Sequence, residues 1–102
     1  MRLKPEDRKL QILKAALEVT AESGGWSKLT RKAVSDQAGC AEALVSKYFG
    51  TMTDFRRTIM RAAVHYKIPE IVAQGLASGD AHARKADDEL KAKAMEVLQN
   101  GY

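Results

Sequence analysis

Four side chains that can hold an anion lie within five consecutive positions near the middle of the first half of the sequence. They are Lys28, Thr30, Arg31 and Lys32. Lysine and arginine neutralise a phosphate, a threonine hydroxyl donates a hydrogen bond to it, and a helix that begins here would add its own N–H groups. The segment therefore predicts a phosphate-binding site at a helix start. For each cation taken alone, the alternative is an ordinary solvated surface charge.

Residues that could support catalysis or bind a metal form no recognisable set. The two histidines, His65 and His82, are far apart, and the single cysteine, Cys40, allows neither an intramolecular disulfide nor a thiolate zinc site. We interpret Cys40 as a small apolar packing residue, with a redox switch as the alternative. No Ser–His–acid set, catalytic carboxylate pair or Gly-rich phosphate loop is present. We therefore expect no enzyme, no cofactor and no metal.

Charge is distributed unevenly along the 102 residues. Residues 1–67 carry 13 Lys+Arg and 7 Asp+Glu, a net +6, whereas residues 68–102 carry 4 and 6, a net −2, which together give the +4 of the chain. A basic amino-terminal part favours an anionic partner, most commonly nucleic acid, although a solvated surface would also explain it. The sequence contains neither a membrane-length apolar run nor a signal-peptide core, so we expect a cytoplasmic protein without a membrane partner.

Helices are the elements expected to position these side chains, since Ala, Leu, Lys and Glu are frequent and only two prolines occur. The first predicted helix begins near Pro5 and ends at Gly24–Gly25, and Trp26 then plugs the core. Its apolar stripe consists of Leu10, Ile12, Leu13, Ala16, Leu17, Val19 and Thr20.

The segment from residue 31 to residue 50 has the spacing of a helix-turn-helix. Thr30 is a good N-cap, Gly39 is the ninth residue counted from Arg31, and a second short helix runs from about Ala41 to Phe49. The positions expected to be buried are Val34, Ala38, Cys40, Val45 and Tyr48. Many all-helical proteins contain a helix–glycine–helix, so the spacing alone leaves DNA binding open.

Further helices are predicted after residue 50. Thr51 and Asp54 form a near capping box, Pro69 ends or kinks the helix that follows, and Asp80 caps a last helix after the break at Ser78–Gly79. The expected buried faces comprise Phe55, Ile59, Ala62, Ala63 and Tyr66, and then Ala83, Ala86, Leu90, Ala94, Val97 and Leu98. We predict an all-α fold, a helix-turn-helix bundle of three helices plus two carboxy-terminal helices. Residues 1–50 would bind DNA and residues 51–102 would form the dimer.

One set of residues is spaced across positions 8–66, approximately, in a pattern typical of a known family: Ile12, Leu13, Ala15, Ala16, Thr30, Ala38, Gly39, Tyr48 and Phe49. At these positions the chain resembles the amino-terminal DNA-binding domain of the TetR family of repressors. The resemblance implies a regulator that binds double-stranded DNA as a homodimer. Only about a third of the chain follows the predicted fourth helix, which is too little for the family's effector-binding domain. We therefore expect no small-molecule ligand, and such a compact regulator would suit a mobile element.

Base reading is expected from the exposed start of the second helix of the motif, where the candidates are Ala41, Glu42, Ala43, Leu44 and Ser46. Glu42 can accept from a cytosine amino group or, alternatively, neutralise the helix N-terminus, and Ala43 can pack on a thymine methyl. Lys47 is implied by the resemblance to contact the DNA backbone, and Tyr48 can donate its hydroxyl to a phosphate. This face has few donors, which predicts modest or shape-based specificity.

Departures from the family pattern concern these contacts. Ala41 replaces the usual serine cap, Ser46 stands where the family often has a tyrosine that contacts the backbone, and Met52 stands where a phosphate-contacting lysine is common.

Two further basic groups flank the motif. The amino-terminal one consists of Arg2, Lys4, Arg8 and Lys9, which would either enter a minor groove or form a solvated, frayed terminus. The other consists of Arg56, Arg57 and Arg61, which we interpret as a solvated face of the fourth helix, with DNA contact by the first two as the alternative.

Three functions fit the sequence. The leading expectation is a sequence-specific transcriptional repressor that binds an inverted repeat. The alternatives are a protein-interaction module with a helix-turn-helix shape, and a nonspecific architectural DNA-binding protein.

Overall fold

The computed structural model describes residues 3–102 and contains in that range helices and connecting loops. The helices are α1 (Pro5–Ala21), α2 (Arg31–Ala38), α3 (Glu42–Phe49), α4 (Met52–His65), α5 (Pro69–Ser78), α6 (Ala81–Arg84) and α7 (Asp88–Gln99). The predicted all-α fold class is confirmed. None of the helices in this range has the length and apolar character needed to cross a membrane. Arg2, one residue of the predicted basic arm, lies outside the described residues.

Helix α1 buries Ile12, Ala15, Ala16 and Thr20 against the rest of the molecule. The prediction that Leu10 belongs to this face is wrong, because its side chain is 60% exposed. Leu13 and Leu17, on the same side of the helix as Leu10, are only half-buried. Leu10 therefore lies at the edge of the packed face, where no other helix covers it.

Helices α2 and α3 form the predicted helix–turn–helix. Gly39 adopts a left-handed conformation with φ of 71°, which glycine reaches without the penalty of a Cβ atom. The backbone N–H of the following residue, Cys40, donates to the Ser35 carbonyl oxygen at 3.0 Å and so satisfies one of the free carbonyls at the end of α2. Val34, Ala38 and Val45 are buried as predicted. Cys40 and Tyr48 are only half-buried, because they lie at the rim of the contact between the two helices.

Helix α4 begins with the predicted cap, since Thr51 Oγ1 accepts from the N–H of Asp54 at 3.1 Å. Phe55, Ile59 and Ala63 are buried, but the prediction for Tyr66 is wrong, because its side chain is 60% exposed. The helix ends at His65, so Tyr66 lies past its last turn and no longer follows the helical face.

Proline and aspartate residues define the carboxy-terminal elements. Pro69 starts α5 instead of kinking a longer helix, a position where its missing N–H costs nothing. The predicted single helix after Asp80 is divided into α6 and α7, because Asp87 Oδ1 accepts from the N–H of Leu90 at 2.8 Å and starts a new helix. Asp87 is therefore a cap, and within α7 Lys93 Nζ lies 3.7 Å from Glu89 Oε1.

The apolar core runs continuously through the described chain. Ala83, Ala86, Leu90 and Ala94 are buried as predicted, and Val97 and Leu98 pack at the edge. Phe49 and Phe55 contact each other across the predicted boundary at residue 50, with ring centroids 4.8 Å apart. The helix-turn-helix therefore rests directly on α4.

Candidate nucleic-acid interface

The start of α2 presents a hydroxyl and two cations. The Thr30 backbone is extended, and its Oγ1 accepts from the N–H of Ala33 at 3.0 Å, which confirms the predicted cap. The hydroxyl proton remains able to donate to an outside acceptor such as a phosphate oxygen. Arg31, half-buried, and Lys32, exposed, follow as the first two residues of the helix. Three of the four side chains from which the sequence predicted a phosphate site therefore lie at one helix start, and Lys28 lies in the loop before it.

Lys32 already has an anionic neighbour, since its Nζ lies 3.1 Å from Asp36 Oδ2. The two side chains are 74% and 66% exposed. An exposed pair of this kind is worth at most about 1 kcal/mol. A phosphate can therefore displace Asp36 from Lys32 with little loss of free energy.

The loop before α2 is fixed by two side chains that reach it from the second half of the molecule. The N–H of Trp26 donates to Gln74 Oε1 at 2.8 Å, and Arg56 donates to the Trp26 carbonyl oxygen at 2.7 Å. Trp26 is buried, as predicted for a core plug, while Lys28 is exposed two residues further on. The expectation that Arg56 lies on a solvated face is wrong, because its guanidinium folds over the Trp26 ring, 5.1 Å from the centroid.

Gln74 stabilises the same loop, a role that no sequence pattern predicted. Its Nε2 lies within hydrogen-bond distance of the carbonyl oxygens of Thr20 at 2.6 Å, Glu70 at 3.1 Å and Glu22 at 3.2 Å. Together with its contact to Trp26, this side chain joins α5 to the end of α1 and to the loop that leads into α2. Its partners are up to 54 residues away, so no local pattern could have revealed it.

Helix α3 begins without a side-chain cap at Ala41, as expected from the missing serine. Most of the proposed base-reading positions are exposed, namely Ala41, Glu42, Ala43 and Ser46. Leu44 differs from the expectation of an exposed reader, because it is half-buried and packs against the core. The exposed surface at the start of α3 therefore consists of two methyl groups, one carboxylate and one hydroxyl.

The end of α3 carries the last two predicted contacts. Lys47 is exposed, and its Nζ lies 5.5 Å from the centroid of the Tyr48 ring. Tyr48 is half-buried, so its ring packs inward in part. A cation over an aromatic face is held by the negative potential of the ring, which limits the orientations available to Lys47.

Arg8 and Lys9, two residues of the predicted basic arm, lie within helix α1. Arg8 donates to Gln11 Oε1 at 2.9 Å, and Gln11 Nε2 donates to the Ala38 carbonyl at 3.0 Å, next to the turn of the motif. Lys9 Nζ lies 5.7 Å from the centroid of the Phe49 ring. These contacts bring two further cations of α1 alongside the helix-turn-helix.

Several cations of this surface have no anionic partner among residues 3–102. In the part of the chain that the structure describes, the ion pairs within 4 Å join Lys32 to Asp36, Arg57 to Asp54 and Lys93 to Glu89. Lys28, Arg31 and Lys47 are in none of them. Among residues 3–102, no group of three or more His, Cys, Asp or Glu residues could hold a metal ion.

No protein-family model matches this chain, and no curated protein or solved structure is significantly similar to it. A function therefore has to be inferred from the residues and their geometry.

Proposed function

We propose that the protein is a DNA-binding transcriptional regulator, a cytoplasmic repressor that binds an inverted-repeat operator as a homodimer. The observation that carries the proposal is the pair α2 and α3, joined through the left-handed Gly39. Beside it, Lys28, Arg31 and Lys47 belong to none of the ion pairs found within residues 3–102. In proteins that bind DNA with this motif, the second helix enters the major groove and the first crosses the backbone.

Phosphate contacts would come from two sides of α3. The start of α2 offers the Thr30 hydroxyl, Arg31 and Lys32, with Lys28 in the loop before them. Arg8 and Lys9 of α1 lie on the other side, near Ala38 and Phe49, and Lys47 lies on α3 itself. Such contacts supply most of the affinity for DNA and make it depend on salt concentration.

Base reading would use the small side chains at the start of α3. Ala41 and Ala43 can pack on thymine methyl groups, and Glu42 can accept from a cytosine amino group. No arginine on this face can form the bidentate contact to guanine that gives the strongest discrimination. We therefore expect a modest sequence preference, to which DNA shape contributes.

Dimerisation would place two copies of α3 in successive major grooves, about 34 Å apart. Occupation of the operator would then block transcription. Residues 51–102, which we expect to form the dimer contact, supply α4 to α7.

Selection from a randomised pool of duplex DNA at near-physiological salt tests the proposal. An enriched inverted repeat with half-sites about ten base pairs apart is the expected result. Binding without enrichment would favour nonspecific architectural binding, and it would show the same steep salt dependence. Absence of binding would contradict the proposal and favour a protein-interaction module, the alternative that the donor-poor face of α3 supports.

A further inference from the structure

A second feature of the molecule lies away from α3, in a cleft between the loop at Trp26, the first turns of α4, and α6. Its volume is about 360 Å³. The residues that line it are Trp26, Thr53, Arg56, Arg57, Ser78, Asp80, Ala81 and His82. Six of these eight side chains carry hydrogen-bond donors: those of Trp26, Thr53, Arg56, Arg57, Ser78 and His82. The Ser78 hydroxyl already donates to the Gly75 carbonyl oxygen at 3.1 Å.

Asp80 is the one carboxylate that lines the cleft, where two guanidinium groups outnumber it. Asp80 Oδ1 accepts from the N–H groups of His82 and Ala83, both at 2.9 Å, and so caps α6. Asp54, outside the cleft, lies 3.7 Å from Arg57. Arg56 makes none of the ion pairs found within residues 3–102, so its charge is balanced by no direct contact with a carboxylate.

Arg56 is held in position by neutral groups. One of its terminal nitrogens donates to the Trp26 carbonyl at 2.7 Å, and its guanidinium lies over the Trp26 ring. A guanidinium has five N–H donors in a rigid fork that matches the oxygens of a phosphate, and this contact uses one terminal nitrogen. The Arg56 side chain is therefore already ordered, so binding of an anion would cost little of its conformational entropy.

A second cleft that is also lined by Trp26 and Ser78 shows what distinguishes this site. That cleft, of about 260 Å³, is lined by Gly24, Trp26, Ser27, Gln74, Ala77, Ser78, Leu98 and Tyr102. No lysine, arginine or histidine side chain lines it. Of the two clefts, the one at α4 is therefore the cationic one.

We propose that the cleft at Arg56 and Arg57 binds a small phosphate-bearing molecule. The phosphate lies between the two guanidinium groups, and the hydroxyls and His82 contact the remainder of the ligand. This inference is independent of DNA binding. It differs from the expectation that the protein has no small-molecule ligand, which was based on the short carboxy-terminal part of the chain. In this cleft the loop at Trp26 forms one wall, so helices alone do not have to enclose the ligand. Because Arg56 also contacts Trp26 in that loop, ligand binding would change the contacts that hold the segment leading into α2.

The test uses the full chain and two probes, inorganic phosphate and pyrophosphate, titrated at constant ionic strength against a chloride control. Trp26 is the only tryptophan of the sequence and contacts Arg56, so its fluorescence reports on the cleft. Calorimetry gives the affinity independently. We expect a saturable change with one site per chain, and weakening of at least about tenfold in Arg57→Gln, the scale of one lost charged hydrogen bond.

Arg61→Gln is the matched control, since Arg61 is an exposed arginine of α4 that does not line the cleft. Arg56→Lys keeps the charge but loses the fork, and we expect it to weaken binding as well; circular dichroism melting shows whether each variant is folded. Arg57→Gln makes no change to the Trp26 contacts, so it tests the site even if Arg56 is needed for folding.

Three results would overturn the proposal. They are no saturable response to either probe, an equal loss in Arg61→Gln, and a response in the cleft to duplex DNA but to neither small anion. The last would mean that the phosphate recognised here belongs to the DNA backbone.

Discussion

Helices α2 and α3 have the same length, eight residues each, and share one core, yet they begin in opposite ways. Helix α2 starts at a threonine that caps it, and two cations follow at once. Helix α3 starts at an alanine that caps nothing, and its first residue is the acidic Glu42. The start of α2 therefore presents a hydroxyl and two positive charges, whereas the start of α3 presents mostly small side chains and one carboxylate.

The missing cap has a physical consequence. The first N–H groups of α3 have no side-chain acceptor, so this helix start is less stabilised than that of α2. The N–H of Leu44 donates to the Ala41 carbonyl oxygen at 3.1 Å, a three-residue spacing that belongs to a 3₁₀ turn, which is tighter than an α-helical turn. Packing of Val45 and Phe49 must therefore hold α3 in place more than its own ends do.

The largest expected effect comes from reversing the charges at the start of α2. We expect Arg31→Glu combined with Lys32→Glu to weaken DNA binding by about 100-fold or more, because each reversal replaces attraction to a phosphate by repulsion, at roughly 1.4 kcal/mol per tenfold. Fluorescence anisotropy with the selected duplex measures it.

Lys85→Glu with Lys93→Glu is the matched control, because it changes the net charge equally on exposed residues outside the helix-turn-helix. Both residues lie in the expected dimer region, so size-exclusion chromatography has to show the oligomeric state of the natural protein. If both double variants lost the same affinity, the start of α2 would have no special role, and net charge alone would explain binding.

Removal of the α2 cap should have the next largest effect. Thr30→Ala leaves the Ala33 N–H without its acceptor and is expected to lower the free energy of unfolding by about 1 kcal/mol, or the melting temperature by about 5 °C. Thr30→Ser keeps the oxygen and should remain close to the natural protein. Equal melting temperatures for the alanine and serine variants would show that this hydrogen bond adds nothing to stability.

Addition of a cap to α3 tests the other side of the comparison. Ala41 has the extended backbone of an N-cap residue, so a serine there can accept from the first free N–H groups of α3. We expect Ala41→Ser to raise the free energy of unfolding by about 0.5 kcal/mol or more. Thermal melting measures it, and Ala43→Ser, inside the helix and exposed, is the control. A gain in both variants would exclude capping as the cause.

The sequence predicted features that depend on neighbouring residues. The turn at Gly39 and the caps at Thr30, Thr51 and Asp80 are local, since each involves a backbone group no more than five residues away, and all are present. The burial of Leu10 and Tyr66 was predicted wrongly, because exposure depends on which helix covers a face and on where a helix ends.

The supports of the candidate site could not be predicted for a related reason. Arg56 reaches Trp26 across 30 residues, and Gln74 reaches it across 48. An arginine on a polar helix face and a glutamine within α5 have the same local pattern whether they are solvated or bonded. Only the packing of α4 and α5 against the loop before α2 brings these groups together.

The smallest predicted effect concerns Tyr102, which lines a cleft with Trp26, Gln74 and Leu98, outside the helix-turn-helix. Burial, and then the negative charges of Glu70 and Glu22, raise the pKa of Tyr102 above its ordinary value of 10.0. The folded state therefore holds the phenol proton more tightly than the unfolded state, so stability is retained below pH 10 and falls as the pH rises through the folded pKa. We expect Tyr102→Phe to show a shallower loss of stability in denaturant titrations above pH 10. Tyr66→Phe, at an exposed site, should follow the natural protein, and an identical alkaline slope for all three proteins would contradict the raised pKa.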